Sequence, residues 1–209
     1  MLKVGLTGGL ASGKSTVLAM FAALGAHTLR ADLVAHRLMS PAEPIYHRIV
    51  DAFGTGILAS DGTIVRPRLA ALAFPGHIAE LNAILHPAVL EFEDHWMRQV
   101  GRDHPQGVAI CEAALLIEAG GLLRFDRLIV VTCTLEQKIA RFAERTGLKL
   151  DEARSQVLQR MAAQMPEEEK VALASFVIRN SGSHDEAQRQ VAGVWQQLDS
   201  AARQAAAKQ

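Results

Sequence analysis

The stretch GLTGGLASGKST near the amino terminus constrains the fold more than any other part of the sequence. Gly8 and Gly13 enclose four residues, and Lys14 and Ser15 follow at once. The apolar run LKVGL precedes this loop, and the run KSTVLAMFAAL behind it has helical spacing that ends at Gly25. The order is therefore strand, glycine loop, helix, which is the context in which the pattern G-x-x-x-x-G-K-[ST] wraps a phosphate group.

Each residue type in this loop has a physical reason. Glycines let the backbone bend closely around an anion, so that successive N–H groups point inward at the start of a helix. The ammonium of Lys14 is expected at the β and γ phosphates, and the hydroxyl of Ser15 is expected to complete the coordination of a magnesium ion. The alternative is a glycine turn with an incidental lysine, but a chance match in a chain of this length is on the order of one in a hundred. The sequence thus predicts that the loop binds a nucleotide.

Length and composition fit a folded enzyme. A chain of 209 residues, 49% of them hydrophobic, is long enough to bury a substantial core. The 22 Lys and Arg balance the 22 Asp and Glu, so the sequence lacks the global basic field of a nonspecific nucleic-acid binder. It contains no apolar run of membrane-spanning length and no signal-peptide pattern. Cys111 and Cys133 lie in apolar runs typical of buried strands, so no disulfide is expected. These features predict a cytoplasmic protein with no nucleic-acid or membrane partner.

Strand and helix patterns alternate along most of the chain. Besides the first strand, the runs AHTL, GVAICEA, RLIVVTC and FVIRN predict strands, which favours a parallel sheet with helices on both faces. The strand signal disappears over 45–100, and two arginine-rich helical segments follow VVTC. We therefore predict an α/β fold of the P-loop NTPase type. Its sheet core is expected to comprise 1–44, 101–134 and 167–209, with a helical insertion at 45–100 and a protruding helical segment at 135–166.

The phosphate loop alone does not say which molecule receives the phosphate. Transfer to a small molecule needs a group that accepts the hydroxyl proton and cations that close over the transferring phosphoryl group. Asp32 follows the second strand, at the end of the sheet where the loop also lies, so it is a candidate proton acceptor. Its alternative role is that of a helix N-cap. Glu112 is a candidate for holding magnesium through water, or a buried acid with a structural partner. The candidate cations, with a solvated helix face as the alternative, are Arg141, Arg145, Arg154 and Arg160.

The order of short motifs along the chain resembles that of the dephospho-CoA kinase family. The shared pieces are GLTGGLASGKSTV, RADLVAHRLM, FGTGIL with DGTIVR, ILHP, LLIE, RMAAQMPEEEK and VIRNSGS, and they cover nearly the whole length. The resemblance implies transfer of the γ-phosphate of MgATP to the ribose 3′-hydroxyl of dephospho-CoA, which gives CoA and ADP in the last step of CoA synthesis. It implies that 45–100 binds the CoA moiety and that 135–166 is a lid. ATP, dephospho-CoA and Mg²⁺ are the expected ligands, and no obligate protein partner is expected.

The resemblance also implies roles for individual residues. Asp32 is expected to accept the proton, and the cations expected around the phosphoryl group are Lys14, Arg141 and Arg160. The residues expected to bind the nucleotide are Gly8, Gly9, Ala11, Ser12, Gly13, Lys14, Ser15, Thr16 and Asn180, with Ser15 also a magnesium ligand. The residues expected to bind the acceptor are Thr7, Asp32, Leu85, His86, Pro87, Leu115 and Glu118, and Gln164 is expected near the lid.

Four positions depart from the family pattern. Arg30 and Arg179 stand where the family usually has aspartate, Ala11 where it has glycine, and Ala114 where it has proline. The loop lysine and serine and the acceptor-side aspartate are retained, so activity is the default expectation. Ala11 is compatible with the loop only if its φ is negative, because a Cβ atom is penalised at positive φ. Two alternatives stay open: a kinase for a different nucleoside or small alcohol, and a regulatory module that binds nucleotide without turnover.

Overall fold

The chain divides into two compact units. In a computed structural model, which describes residues 1–74 and 76–207, one unit comprises Met1–Leu29 with Gln99–Gln209 and the other Arg30–Arg98. Pro75, in the predicted insertion, and Lys208 and Gln209, at the end of the predicted core, lie outside the described residues. The domain limits given above stay predictions.

The first unit is built on a five-stranded sheet. Its strands are β1 (Leu2–Gly8), β2 (His27–Arg30), β3 (Val108–Glu112), β4 (Arg127–Thr132) and β5 (Phe176–Arg179), in the order β2-β3-β1-β4-β5. β1 pairs in parallel with β3 and with β4, and β4 pairs in parallel with β5. Every residue of β3 is buried, and in β1 only Lys3 is exposed, as expected for strands covered on both faces. The predicted α/β fold of the P-loop type is confirmed.

Nine α-helices lie within residues 1–74 and 76–207. They are α1 (Lys14–Ala23), α2 (Ala31–Leu38), α3 (Pro44–Phe53), α4 (Arg66–Ala73), α5 (Ile78–Asp103), α6 (Leu135–Thr146), α7 (Leu150–Ala162), α8 (Glu167–Leu173) and α9 (His184–Ala206). Capping boxes fix the starts of α6 and α9, since Thr134 and Ser183 each accept a backbone N–H from the residue three positions later. The cap at Thr134 makes α6 begin directly after β4.

Each face of the sheet has its own hydrophobic core. Alternate residues of β4 point to opposite faces: Ile129 and Val131 join the cluster that packs against α1 and α9, whereas Leu128 and Val130 pack with Leu116. A third cluster joins α6 to α7, and its buried members are Ile139, Phe142, Ala143, Ala153 and Val157. The two arginine-rich segments therefore form a helical pair with a core of its own.

The second unit is helical. It contains α2, α3, α4 and most of α5, which continues past Arg98 into the first unit. The loop between α3 and α4 carries an isolated antiparallel bridge between Leu58 and Ile64, and the hydroxyl of Tyr46 donates to the carbonyl of Gly62 at 2.6 Å. Over residues 1–74 and 76–207, neither unit contains a helix with the length and apolarity needed to cross a membrane.

Candidate active site

The loop between β1 and α1 is held by the lysine that it carries. Lys14 Nζ donates to the carbonyl oxygens of Gly8 and Gly9, at 3.1 and 3.0 Å. Gly13 caps α1 with a φ of 91°, a conformation that glycine adopts without a Cβ penalty. The first N–H groups of a helix have no partner within it, so α1 presents those groups and the positive end of its dipole to the loop. This is an anion-binding geometry.

Three segments of the chain meet at the carbonyl of Ser12. Asn180, which follows β5, donates from Nδ2 to this oxygen at 2.9 Å, and Arg141 of α6 donates from Nη1 at 3.3 Å. Arg141 Nη2 also donates to the carbonyl of Asn180 at 3.0 Å. A Cβ atom on Gly13 would lie 2.0 Å from Asn180 Nδ2, so packing as well as φ requires glycine there. The structure thus brings Asn180 and Arg141 to the loop.

The side chains of the loop fit a nucleotide with its magnesium ion. The Ser12 hydroxyl is buried and has no hydrogen-bond partner within the described ranges. Leaving such a group unsatisfied costs about 1–3 kcal/mol, and a phosphate oxygen would satisfy it. Ser15 is exposed in the first turn of α1, beside Thr16, and Glu112 is buried at the end of β3, next to β1. A hydroxyl and one carboxylate are protein ligands that Mg²⁺ takes together with phosphate oxygens.

Ala11 has a φ of 54°, so the negative φ required by the sequence analysis is wrong. It is the one non-glycine residue with a positive φ among residues 1–74 and 76–207, and this conformation costs about 1–2 kcal/mol. Its side chain packs against the α6–α7 cluster, and its carbonyl accepts the thiol hydrogen of Cys133 at 3.8 Å. These contacts hold the strained residue in place.

We expect Ala11→Gly to raise the free energy of unfolding by roughly 1 kcal/mol, because the relief of strain exceeds the entropy cost of a glycine. Thermal unfolding monitored by circular dichroism measures the effect as a rise in Tm of about 2–4 °C. The control is Ala19→Gly, on the exposed face of α1, where the same change lowers stability by about 1 kcal/mol. A fall in Tm for both variants would contradict the claim that the backbone of Ala11 is strained.

The thiol of Cys133, which donates to the Ala11 carbonyl of the loop, is influenced by nearby charges. Burial raises the pKa of Cys133, while the charges of Arg141, Lys138 and Lys14 act in the opposite direction. The thiol stays protonated at neutral pH and remains a donor to the Ala11 carbonyl.

The other predicted lid arginine lies in a different environment. The guanidinium of Arg160 lies 5.1 Å from the centroid of the Phe142 ring, and that of Arg145 lies 5.4 Å from it. Arg141 contacts the loop, whereas Arg160 stacks within the helical pair. Its role at the phosphoryl group stays a prediction.

Two residues predicted to bind the acceptor make contacts within the first unit. The Thr7 hydroxyl donates to the carbonyl of Ala114 at 3.3 Å, which ties β1 to the segment after β3. Glu118 Oε1 lies 2.7 Å from Lys170 Nζ and accepts the N–H of Met165 at 3.1 Å. Burial alone would raise the pKa of Glu118, but the hydrogen bond and charge of Lys170, with backbone N–H groups, hold it below its ordinary value. Leu115 is exposed.

In the second unit, Asp32 lies in the first turn of α2. The cap of that helix is Arg30, so the alternative role of Asp32 as N-cap is wrong. Asp32 Oδ2 lies 3.0 Å from Arg30 Nη2, and Oδ1 accepts the N–H of Leu33 at 3.0 Å, with the side chain 63% exposed. The segment 85–87 lies inside α5, where Leu85 and His86 are half-buried and Pro87 is exposed.

Two buried lysines were missed by the sequence reasoning. Lys138 near the start of α6 pairs with Glu167, and Lys170 of α8 pairs with Glu118. The motif RMAAQMPEEEK contains Glu167 and Lys170, but a run of charges at helical spacing usually indicates a solvated face. Arg179, one of the departures from the family pattern, has an exposed side chain, and its backbone N–H and carbonyl both bond to Gln190.

Several dephospho-CoA kinases are similar to this chain. The family model described as dephospho-CoA kinase matches residues 2–186. The dephospho-CoA kinase of Geobacter metallireducens is 42% identical over 199 residues, which cover 94% of this chain and 96% of the relative. Among solved structures, TT1252 from Thermus thermophilus is 32% identical, with a TM-score of 0.74 over 94% of this chain and 97% of the other. A dephospho-CoA kinase from Campylobacter jejuni, 23% identical, covers 95% of this chain and 98% of the other at a TM-score of 0.68, and shares the fold.

Proposed function

The chain belongs to the dephospho-CoA kinase family, and from this premise we propose that it transfers the γ-phosphate of ATP to the ribose 3′-hydroxyl of dephospho-CoA. The observation that carries the proposal is the loop with its partners. Lys14 spans the Gly8 and Gly9 carbonyls, while Asn180 and Arg141 fix the Ser12 carbonyl from two other segments. This arrangement supports binding of a nucleotide whose phosphates lie at the start of α1.

On the nucleotide side, the proposed catalysis depends mainly on positively charged side chains around the transferring phosphoryl group. Phosphoryl transfer is catalysed largely by positioning and by spreading the charge of the transferring group. We assign Lys14 and Arg141 to this role, since both already bond to the loop backbone. When bound, magnesium neutralises charge on the phosphate oxygens; Ser15 would hold it directly and Glu112 through water.

On the acceptor side, we assign Asp32 as the group that takes the proton of the 3′-hydroxyl. A carboxylate is a suitable base for an alcohol that loses its proton as the phosphate arrives. The bonds from Arg30 and from the Leu33 N–H fix the orientation of this carboxylate. The helical segment 45–100, which contains Leu85, His86 and Pro87, is proposed to hold the rest of the acceptor.

The test is release of ADP from MgATP with and without dephospho-CoA, with the mass of the product checked for one added phosphate. We expect release that depends on the acceptor and a product heavier by one phosphoryl group. Tight binding of ATP without such release would favour a regulatory module. Release with another nucleoside or alcohol, but not with dephospho-CoA, would favour a different metabolite kinase.

A further inference from the structure

A second lysine lies against the phosphate loop. The side chain of Lys138 is 3% exposed, and its Nζ lies 2.5 Å from Oε2 of Glu167, in the first turn of α8. A Cβ atom on Gly9 would lie 3.3 Å from this Nζ and 3.4 Å from the Glu167 oxygen. The ion pair therefore packs directly on the backbone of Gly9. The carbonyl of that same residue accepts a hydrogen bond from Lys14 Nζ.

The pair borders a small open cavity beside the loop. Its wall includes Gly9, Lys138, Met161, Gln164, Met165 and Lys170. Lys170 is 1% exposed and is held by Glu118, which also accepts the Met165 N–H, so this second pair fixes the connection between α7 and α8. The Lys138 pair differs because it faces the loop. Its acid, Glu167, is also 26% exposed and thus closer to water.

Buried ion pairs are weak sources of stability. The cost of taking both charges out of water often equals or exceeds their attraction, and apolar residues of similar size serve a core as well. A gain in stability alone is therefore a poor reason for a buried ammonium at Gly9. Next to a phosphate loop, however, a positive charge has a direct use, because it stabilises the anion that the loop binds.

The position of Lys14 indicates which phosphate of a bound nucleotide would lie near Lys138. The lysine of this motif reaches the β and γ phosphates, and its Nζ lies at the Gly8 and Gly9 carbonyls. Lys138 Nζ lies beside Gly9 as well. Both ammonium groups therefore flank the end of the loop where the terminal phosphates are expected.

We propose that Lys138 is a second phosphate-binding cation, which exchanges the Glu167 carboxylate for the terminal phosphate of a bound nucleoside triphosphate. This inference rests on the proposed function for the nature of the nucleotide. The exchange leaves the buried ammonium paired with an anion at each stage, so it avoids the penalty of an uncompensated buried charge. Glu167, partly exposed, is the partner that moves to water.

The test compares affinities for a diphosphate and a triphosphate. Calorimetry with MgADP and with the magnesium complex of a non-hydrolysable ATP analogue gives the ratio of the two dissociation constants. We expect Lys138→Met to reduce the preference for the triphosphate about tenfold, the effect of one lost charge-assisted contact, while the affinity for ADP changes less than about twofold. Glu167→Gln, which frees the ammonium, is expected to keep or increase the preference.

Lys170→Met is the matched control, since it removes the other buried lysine from the same cavity wall. It is expected to lower Tm without changing the preference. If Lys138→Met fails to fold, the double variant Lys138→Met/Glu167→Gln is compared with Glu167→Gln alone, because both lack the ion pair and only one lacks the ammonium. An unchanged preference in these comparisons overturns the proposal. The ratio needs no acceptor, so it remains decisive even if dephospho-CoA proves not to be the substrate.

Discussion

Asp32→Asn is expected to lower kcat with dephospho-CoA about 10²- to 10⁴-fold, the usual contribution of a general base. The asparagine keeps an oxygen that can accept the Leu33 N–H, which Asp32 now accepts at 3.0 Å, but it cannot take up a proton. Nucleotide affinity is expected to stay unchanged, because the change lies on the acceptor side. Steady-state release of ADP and calorimetry with MgADP measure the two quantities.

Two controls separate the loss of the base from other effects of this change. Asp32→Asn also breaks the ion pair with Arg30, whereas Arg30→Ala breaks that pair and keeps the carboxylate. Exposed ion pairs contribute about 0–1 kcal/mol, so Arg30→Ala is expected to keep kcat within about tenfold of the wild type. Asp51→Asn removes an exposed carboxylate from α3 and is expected to have no effect. A kcat for Asp32→Asn within threefold of these controls contradicts its role as the base.

Arg141→Ala is expected to lower kcat by about 10³-fold or more, in the range seen for arginines that stabilise a transferring phosphoryl group. The change also removes the hydrogen bonds to the Ser12 and Asn180 carbonyls, so ATP binding is expected to weaken, though less than kcat falls. Single-turnover transfer and calorimetry on the same preparations separate the two effects.

Arg145→Ala is the matched control for Arg141→Ala. It removes the same charge from the same helix, and its guanidinium contacts the Phe142 ring instead of the loop. Equal losses of kcat in the two variants would show that the loop contacts of Arg141 do not matter. Arg160→Ala decides the remaining assignment: a loss as large as that of Arg141→Ala supports a role for Arg160 at the transferring phosphoryl group, and an unchanged kcat contradicts it.

The strands β1, β3 and β4 could be predicted from the sequence because each is mostly buried and is a nearly continuous apolar run. VAICE in β3, for example, is buried at every position. The strand order could not be predicted in the same way. It depends on pairs far apart in the chain, such as Val4 with Ile110 and Leu6 with Ile129, and local periodicity carries no record of them.

The residues of the candidate site also differ in whether the sequence could predict them. Gly13, Lys14 and Ser15 follow from local spacing, since a loop of this kind needs those residue types in that order. The partners of charged side chains do not follow, because they are chosen by distances that exist only in the folded chain. Lys138 is a charged residue within a charge-rich helix, yet it is buried against Gly9. Ala11 shows the converse: its neighbours in space hold it at a φ that its residue type disfavours.

The side chains that bind the Ser12 carbonyl are synthesised much later than the loop itself. Its partner Arg141 is 129 residues away in the chain, and its partner Asn180 is 168 residues away. A nascent chain is synthesised from its amino terminus, and contacts of such long range form late because loop closure costs entropy. A ribosome-bound chain that ends before β5 therefore carries the whole glycine motif without one of the two side chains that anchor it. We therefore expect high affinity for nucleotide to emerge only when β5, the last strand, has joined the sheet.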